Sequence, residues 1–158
     1  MSHTVEKIGG TSMSEYQAVR DHIILHNRTP EQYYQRLMVV SAFGGITDGL
    51  LECKRTGAPG VYATYADAED DSAWEQALDN VADRMAQINK DMFADTPERA
   101  LADSFLSDRI VGIRECLHHL RQVCAFGQFQ LAEQLQTVRE LLAAMGEAHS
   151  AHNIVLYL

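Results

Sequence analysis

The chain has 158 residues, 46% of them hydrophobic and 22% charged, with a formal net charge of −9. That is enough chain and apolar content for one domain with its own core. The acidic balance speaks against nucleic acid or an anionic membrane surface as a partner, since both call for clustered Lys and Arg. No stretch approaches the roughly 20 apolar residues of a membrane helix, and Met1-Ser2-His3-Thr4 lacks the basic start of a signal peptide. A cytoplasmic location is expected.

Thr4 to Ile8 alternates weakly and runs into Gly9-Gly10, the pattern of a short strand feeding a tight turn. Ser14 and Gln17 have capping-box spacing, and Val19, Ile23 and Ile24 follow at helical intervals, so a helix is expected to about Asn27, before Thr29-Pro30. Arg36 to Ala42 is short, apolar and β-branched, which reads as a buried strand of a parallel sheet. It stops at Gly44-Gly45, and a helix is expected from about Ile46 to Lys54. Strand, loop and helix repeated in this way open an α/β fold with a parallel sheet.

Thr56 to Asp71 reads as a loop, with Gly57, Pro59 and Gly60 followed by an acidic run, Asp67 to Asp71, expected to be solvated surface. The C-terminal half is helix-rich. Trp74, Leu78, Val81, Met85 and Ile88 mark one helix, and Thr96-Pro97 starts the next, which carries Leu101, Phe105, Ile110, Ile113, Leu117, Leu120 and Val123. Leu131, Leu135, Val138, Leu141 and Leu142 mark a third, with Gly146 as its expected stop and Glu147 in the first turn of a following helix. Ile154 to Leu158 is an apolar run without a cap, which leads to the expectation that the chain is one part of a longer domain. Cys53, Cys116 and Cys124 show neither disulfide nor zinc spacing and are expected to be reduced thiols. His149 and His152 stand three apart, but nothing completes a metal set, so both are expected to be ordinary helix-surface histidines and no metal ligand is assigned.

Three segments can carry chemistry. In Lys7-Ile8-Gly9-Gly10-Thr11-Ser12 a lysine at a strand end precedes glycines whose N–H groups can approach phosphate oxygens. Alone it reads more simply as a surface lysine before a glycine turn. It is neither a Walker A loop nor GxGxxG. Ser41-Ala42-Phe43-Gly44-Gly45-Ile46-Thr47-Asp48 places a second glycine turn after a second strand, although Thr47 or Asp48 could equally serve only as helix caps. Two such turns at the carboxyl ends of neighbouring parallel strands would face one crevice, where open α/β sheets bind ligands. In Gly146-Glu147-Ala148-His149-Ser150 the carboxylate can accept a substrate ammonium group or merely complement a helix dipole.

Together these segments resemble the aspartokinases. Val5 to Ser12 is similar to the family's KFGGTS opening, with Ile8 in place of the usual Phe. Val39 to Asp48 is similar to its VVSAxxGxT[DN] motif, and Gly146-Glu147 followed by Ser150 to its GE motif. All occur in family order. Gly9-Gly10-Thr11-Ser12-Met13-Ser14-Glu15-Tyr16, with the Gly/Pro-containing stretch from Thr56 to Asp71, looks most like the branch associated with ectoine biosynthesis.

The resemblance implies the amino acid kinase fold, an α/β/α sandwich around a mainly parallel sheet, of which residues 1–158 would be the N-terminal portion. It implies ATP and Mg²⁺, the metal carried on the phosphates, and L-aspartate as acceptor. Lys7 would be the catalytic group at the transferring phosphate, with Gly9 and Gly10 as backbone donors. Ser41, Gly44 and Gly45 would line the phosphoryl-transfer crevice, and Ser41, Thr47 and Glu147 would bind aspartate. The adenosine-binding half and the regulatory domains would lie beyond Leu158, so the chain alone is expected to be inactive. Surface left open in a partial domain leads to the expectation of a homo-oligomer. Two other readings stay open: an amino acid kinase for another acyl acceptor such as a glutamate derivative, and a noncatalytic module whose helices from Trp74 to Met145 form an interaction surface.

Overall fold

The computed structural model describes residues 3–33, 35–67 and 71–158. Two strands, β1 (Thr4–Ile8) and β2 (Arg36–Val40), pair in parallel, from Thr4 opposite Arg36 to Ile8 opposite Val40. Between them lie short helices: α1 (Gly10–Met13), α2 (Tyr16–Ala18) running into a π-helical segment (Val19–Ile24), and α3 (Pro30–Tyr33). After β2 come α4 (Ile46–Leu50), α5 (Val61–Asp67), α6 (Ser72–Phe93), α7 (Glu98–Cys124) and α8 (Leu131–Tyr157). This is a helix-rich α/β arrangement. Its sheet is wholly parallel but has two strands among the described residues, narrower than expected.

The core follows the apolar periodicity in part, since Leu101, Val123 and Leu141 of the expected stripes are exposed. Trp74, Leu78, Val81 and Met85 of α6 are buried against α4, α5 and α7, while Ala102, Leu106, Ile110, Ile113 and Leu117 form the inner stripe of α7. Tyr65 is fully buried, and its hydroxyl donates to the Leu117 carbonyl at 2.9 Å, joining α5 to α7. Burial pushes that phenol's pKa up to about 12.

Several expectations are corrected. Residues Thr56 to Asp71 are not all loop: Val61 and Tyr65 anchor α5 in the core, and packing overrides the surrounding turn residues. Residues 68–70 of the acidic run lie outside the described residues. Asp71 is not simply solvated, since it accepts the Trp74 indole N–H at 2.8 Å and meets Arg121 at 3.2 Å. Helix α4 ends at Leu50, short of Lys54, because the chain turns back to bridge Glu52 with Pro59. Strand β2 is half-buried: Met38 and Val40 face the core, while Leu37 and Val39, with Val5 of β1, form an exposed apolar face that no described layer covers.

Gly146 does not stop a helix. Helix α8 runs through it to Tyr157, and its backbone is not left-handed. A Cβ at Gly146 would stand 2.9 Å from the Ala42 Cβ and 3.3 Å from both Ile46 Cγ2 and Leu50 Cδ1. The glycine serves close packing of α8 on α4 and the end of β2, not a helix C-terminus. No helix among the described residues is long and apolar enough to cross a membrane.

Candidate functional site

Because β1 and β2 are parallel neighbours in register, their glycine turns leave the same edge of the sheet. The backbones nearly touch: a Cβ on Gly10 would lie 3.0 Å from the Ala42 carbonyl oxygen. The Ser41 N–H donates to the Ile8 carbonyl at 3.0 Å, extending the ladder into the turn. Ser14 clasps the two loops. Its hydroxyl accepts the Gly44 N–H at 3.1 Å and donates to the Gly10 carbonyl at 3.4 Å. The capping box expected of Ser14 with Gln17 is not formed, because α1 ends at Met13 and the serine turns to the second loop.

Gly45 has φ of 77°, the left-handed conformation that a Cβ disfavours. Arg84 of α6 reaches it from the side. Its guanidinium donates to the Gly45 carbonyl at 3.2 Å and, more weakly, to the Gly44 carbonyl at 3.5 Å. Arg84 also borders an open cleft of about 290 Å³ with Ser14, Tyr16, Phe43, Gly44 and Asp91.

Helix α8 supplies the third wall. The Ser150 hydroxyl donates to the Ser41 carbonyl at 2.8 Å and to the Glu147 carbonyl at 3.0 Å. At about 100° per residue, Glu147 stands on the Ser150 side of the Gly146 contact and His149 on the other. Glu147 is therefore mid-helix, not in a first turn, and its side chain is exposed. Thr47 is also exposed, on the flank of α4 opposite Gly45 and Gly49, which pack on α6. Lys7 is exposed one residue before the first glycine turn. Among the described residues, no hydrogen bond or ion pair engages the side chains of Lys7, Thr47 or Glu147.

His149 departs from the surface role expected of it. It is fully buried, its ring edge-on to Phe43 with centroids 5.6 Å apart. Its Nε2 lies 2.7 Å from Asn89 Oδ1, which also accepts the Asn153 amide at 2.7 Å. An amide oxygen only accepts, so Nε2 carries a hydrogen, while Nδ1 is buried without a hydrogen-bond partner among the described residues. Burial, aided by the charge of His152, holds its pKa down to about 4. His152 is half-buried and stacks on Phe105 with centroids 4.1 Å apart. Among the described residues, no cluster of His, Cys, Asp and Glu could hold a metal ion, and the cysteines are free.

The sequence thus located both glycine loops and the helix behind them. It missed the roles of Ser14, Arg84 and Ser150. Ser14 carried one usable signal, a hydroxyl one turn beyond the first glycine pair. Arg84 carried none, since its contact spans 39 positions and it lies on an ordinary polar helix face.

Glycine turns side by side at the carboxyl ends of parallel strands make the kind of crevice in which open α/β proteins bind their ligands. The chain is 51% identical over 156 residues to aspartate kinase Ask_Ect of Stutzerimonas stutzeri (strain A1501). That match takes in 99% of this chain and 33% of the relative, so the chain spans about a third of the relative's length. No family model matches the chain, and no solved structure does. The motif-level resemblance to aspartokinases, the ectoine-associated branch included, therefore extends along nearly the whole chain.

Proposed function

We propose that this chain is the aspartate-binding, N-terminal portion of an amino acid kinase domain that transfers the γ-phosphate of ATP to the side-chain carboxylate of L-aspartate. The observation that carries this reading is the clasp of the two glycine loops through Ser14, with Glu147 held beside them on α8. The similarity to an aspartate kinase supports it. The packing of Gly146 on Ala42 and Ile46 speaks against a separate helical interaction module, because it joins the long helices to the loop region.

In this mechanism the protein positions groups and stabilises charge. The attacking oxygen belongs to the substrate carboxylate, which is already ionised at neutral pH, so no general base is required. Lys7 meets the transferring phosphoryl group, with N–H groups of Gly9 and Gly10 and, in the Gly44-Gly45 turn, the N–H that Ser14 leaves free as neutral donors. Thr47 and Ser41 offer hydroxyls to the acceptor, and Glu147 its carboxylate to the acceptor's ammonium. When bound, Mg²⁺ carried on the ATP phosphates would supply further charge neutralisation. In this reading the adenosine-binding half would not be among these residues, which span about a third of the relative's length, and the chain alone would be inactive. The product, 4-phospho-L-aspartate, would enter aspartate-family amino acid or ectoine synthesis in the cytoplasm.

Calorimetric titration of the chain with L-aspartate tests the substrate assignment. Thr47→Ala and Glu147→Gln are each expected to weaken binding by about 1–3 kcal/mol, the usual loss for a buried polar contact. Affinity unchanged by both substitutions refutes the assignment. Hydroxylamine trapping with MgATP and aspartate should yield no aspartyl hydroxamate from the chain alone, and its appearance would overturn the claim of inactivity.

A further inference from the structure

We propose that Arg84 is a positioning residue for phosphoryl transfer, which aims the Gly45 N–H at a phosphate on the Thr47 flank of the loop. This rests on the phosphate-binding reading of the second glycine loop.

The peptide bonds of the described chain are trans. In a trans peptide the N–H points opposite to the C=O of the preceding residue. Arg84 draws the Gly44 carbonyl toward α6, so the Gly45 N–H is directed to the opposite side, the flank on which Thr47 lies. That N–H has no hydrogen-bond partner among the described residues. The neighbouring donors are already used: the Gly44 N–H on Ser14, and the Ile46 N–H on the Phe43 carbonyl at 3.1 Å. Gly45 is therefore the residue of this turn left to meet an anion.

The guanidinium acts in a second way. The Gly44 and Gly45 carbonyls are the negative ends of two peptide dipoles, and both face a cation on the α6 side of the loop, away from Thr47. A phosphate approaching from the Thr47 flank meets the positive end. Arg84 is suited to this because its planar fork spans two oxygens, while a lysine ammonium serves as a single point charge. It makes no ion pair among the described residues, so its charge is directed at the loop and not at a carboxylate. Gly45 is fitted to the same contact: a Cβ there would lie 2.6 Å from Arg84 Nη2.

The test is a ¹⁵N–¹H spectrum of the chain titrated with magnesium pyrophosphate, followed at Gly10 and Gly45. Both amides are expected to shift in the unaltered chain. Arg84→Gln should weaken binding on the order of tenfold and remove most of the Gly45 shift, about the loss of one charge-assisted hydrogen bond. Arg84→Lys should restore part of it. Arg84 is exposed, so the thermal midpoint should change little in either variant, which separates aiming from folding. An undiminished Gly45 response in Arg84→Gln overturns the proposal. A response at Gly10 but not Gly45 in the unaltered chain overturns it and leaves the first loop's role intact. Silence at both glycines overturns this proposal and the phosphate reading together.

Discussion

Gly146 offers the sharpest quantitative test of how α8 is seated. In an exposed helix interior, Gly→Ala gains about 1 kcal/mol from helix propensity. At Gly146 the added methyl would sit 2.9 Å from the Ala42 Cβ, and both carbons are fixed to backbone, so relief requires the helix to move. Ile46 and Leu50, at 3.3 Å, can give a little by rotation. Overpacking of this kind costs about 1–3 kcal/mol. The net expectation for Gly146→Ala is a loss of about 0–2 kcal/mol. Gly112 of α7 is the internal control, because nothing lies within 4 Å of the place a methyl would take there and its φ is not positive. Gly112→Ala should gain about 1 kcal/mol. Urea unfolding of both variants measures the contrast, with the midpoint moving and the slope unchanged. If Gly146→Ala stabilises the chain as much as Gly112→Ala does, the close packing described for α8 on α4 is wrong.

His149 predicts a pH dependence. Its folded pKa of about 4 lies below the ordinary 6.5, so within that window the unfolded chain takes up a proton that the folded chain refuses. Stability is full above pH 6.5 and falls as the pH drops toward 4, by about 3 kcal/mol for a shift of this size. His149→Gln should remove that part of the slope in denaturant melts at several pH values, and an unchanged slope would refute the assignment. The apolar face of Val5, Leu37 and Val39, 69%, 60% and 47% exposed, predicts self-association. Light scattering should show mass rising with concentration, less so in Leu37→Lys, and a monomer at high concentration would count against it.

Where sequence and structure agree, the signal was local and periodic. Both strands and the three long helices follow from apolar spacing and from the glycine, proline and threonine that bound them. The misreadings came from residues whose meaning depends on distant neighbours. Glycine in a helical pattern has two uses, ending a helix or admitting another element, and only the presence of Ala42 against Gly146 decides between them. Val61 and Tyr65 are too few to display a period, so α5 became legible only once α6 and α7 supplied its pocket. His149 looked like surface because Asn89, the amide that accepts its N–H, is 60 positions away, and Asn153, four positions on, shows its part only once Asn89 is in place. At the site, the glycine loops could be read because a glycine pair after each strand is a local pattern. Arg84 could not, because a single arginine on a helix has no pattern.

The unbroken course of α8 bears on how finely a substrate can be discriminated. A carboxylate on a loop can drift toward whichever ligand arrives, trading selectivity for accommodation. The backbone of Glu147 has less of that latitude, since it is mounted partway along a 27-residue rod that is wedged against α4 and tied at Ser150 to the residue after β2. If Glu147 takes the acceptor's ammonium as proposed, an amino acid one methylene longer would have to bring that ammonium to the same helix position while its side-chain carboxylate was displaced from the glycine loops. The helix would act as a ruler between the two ends of the ligand, and the chain length of the amino acid is the quantity it would measure.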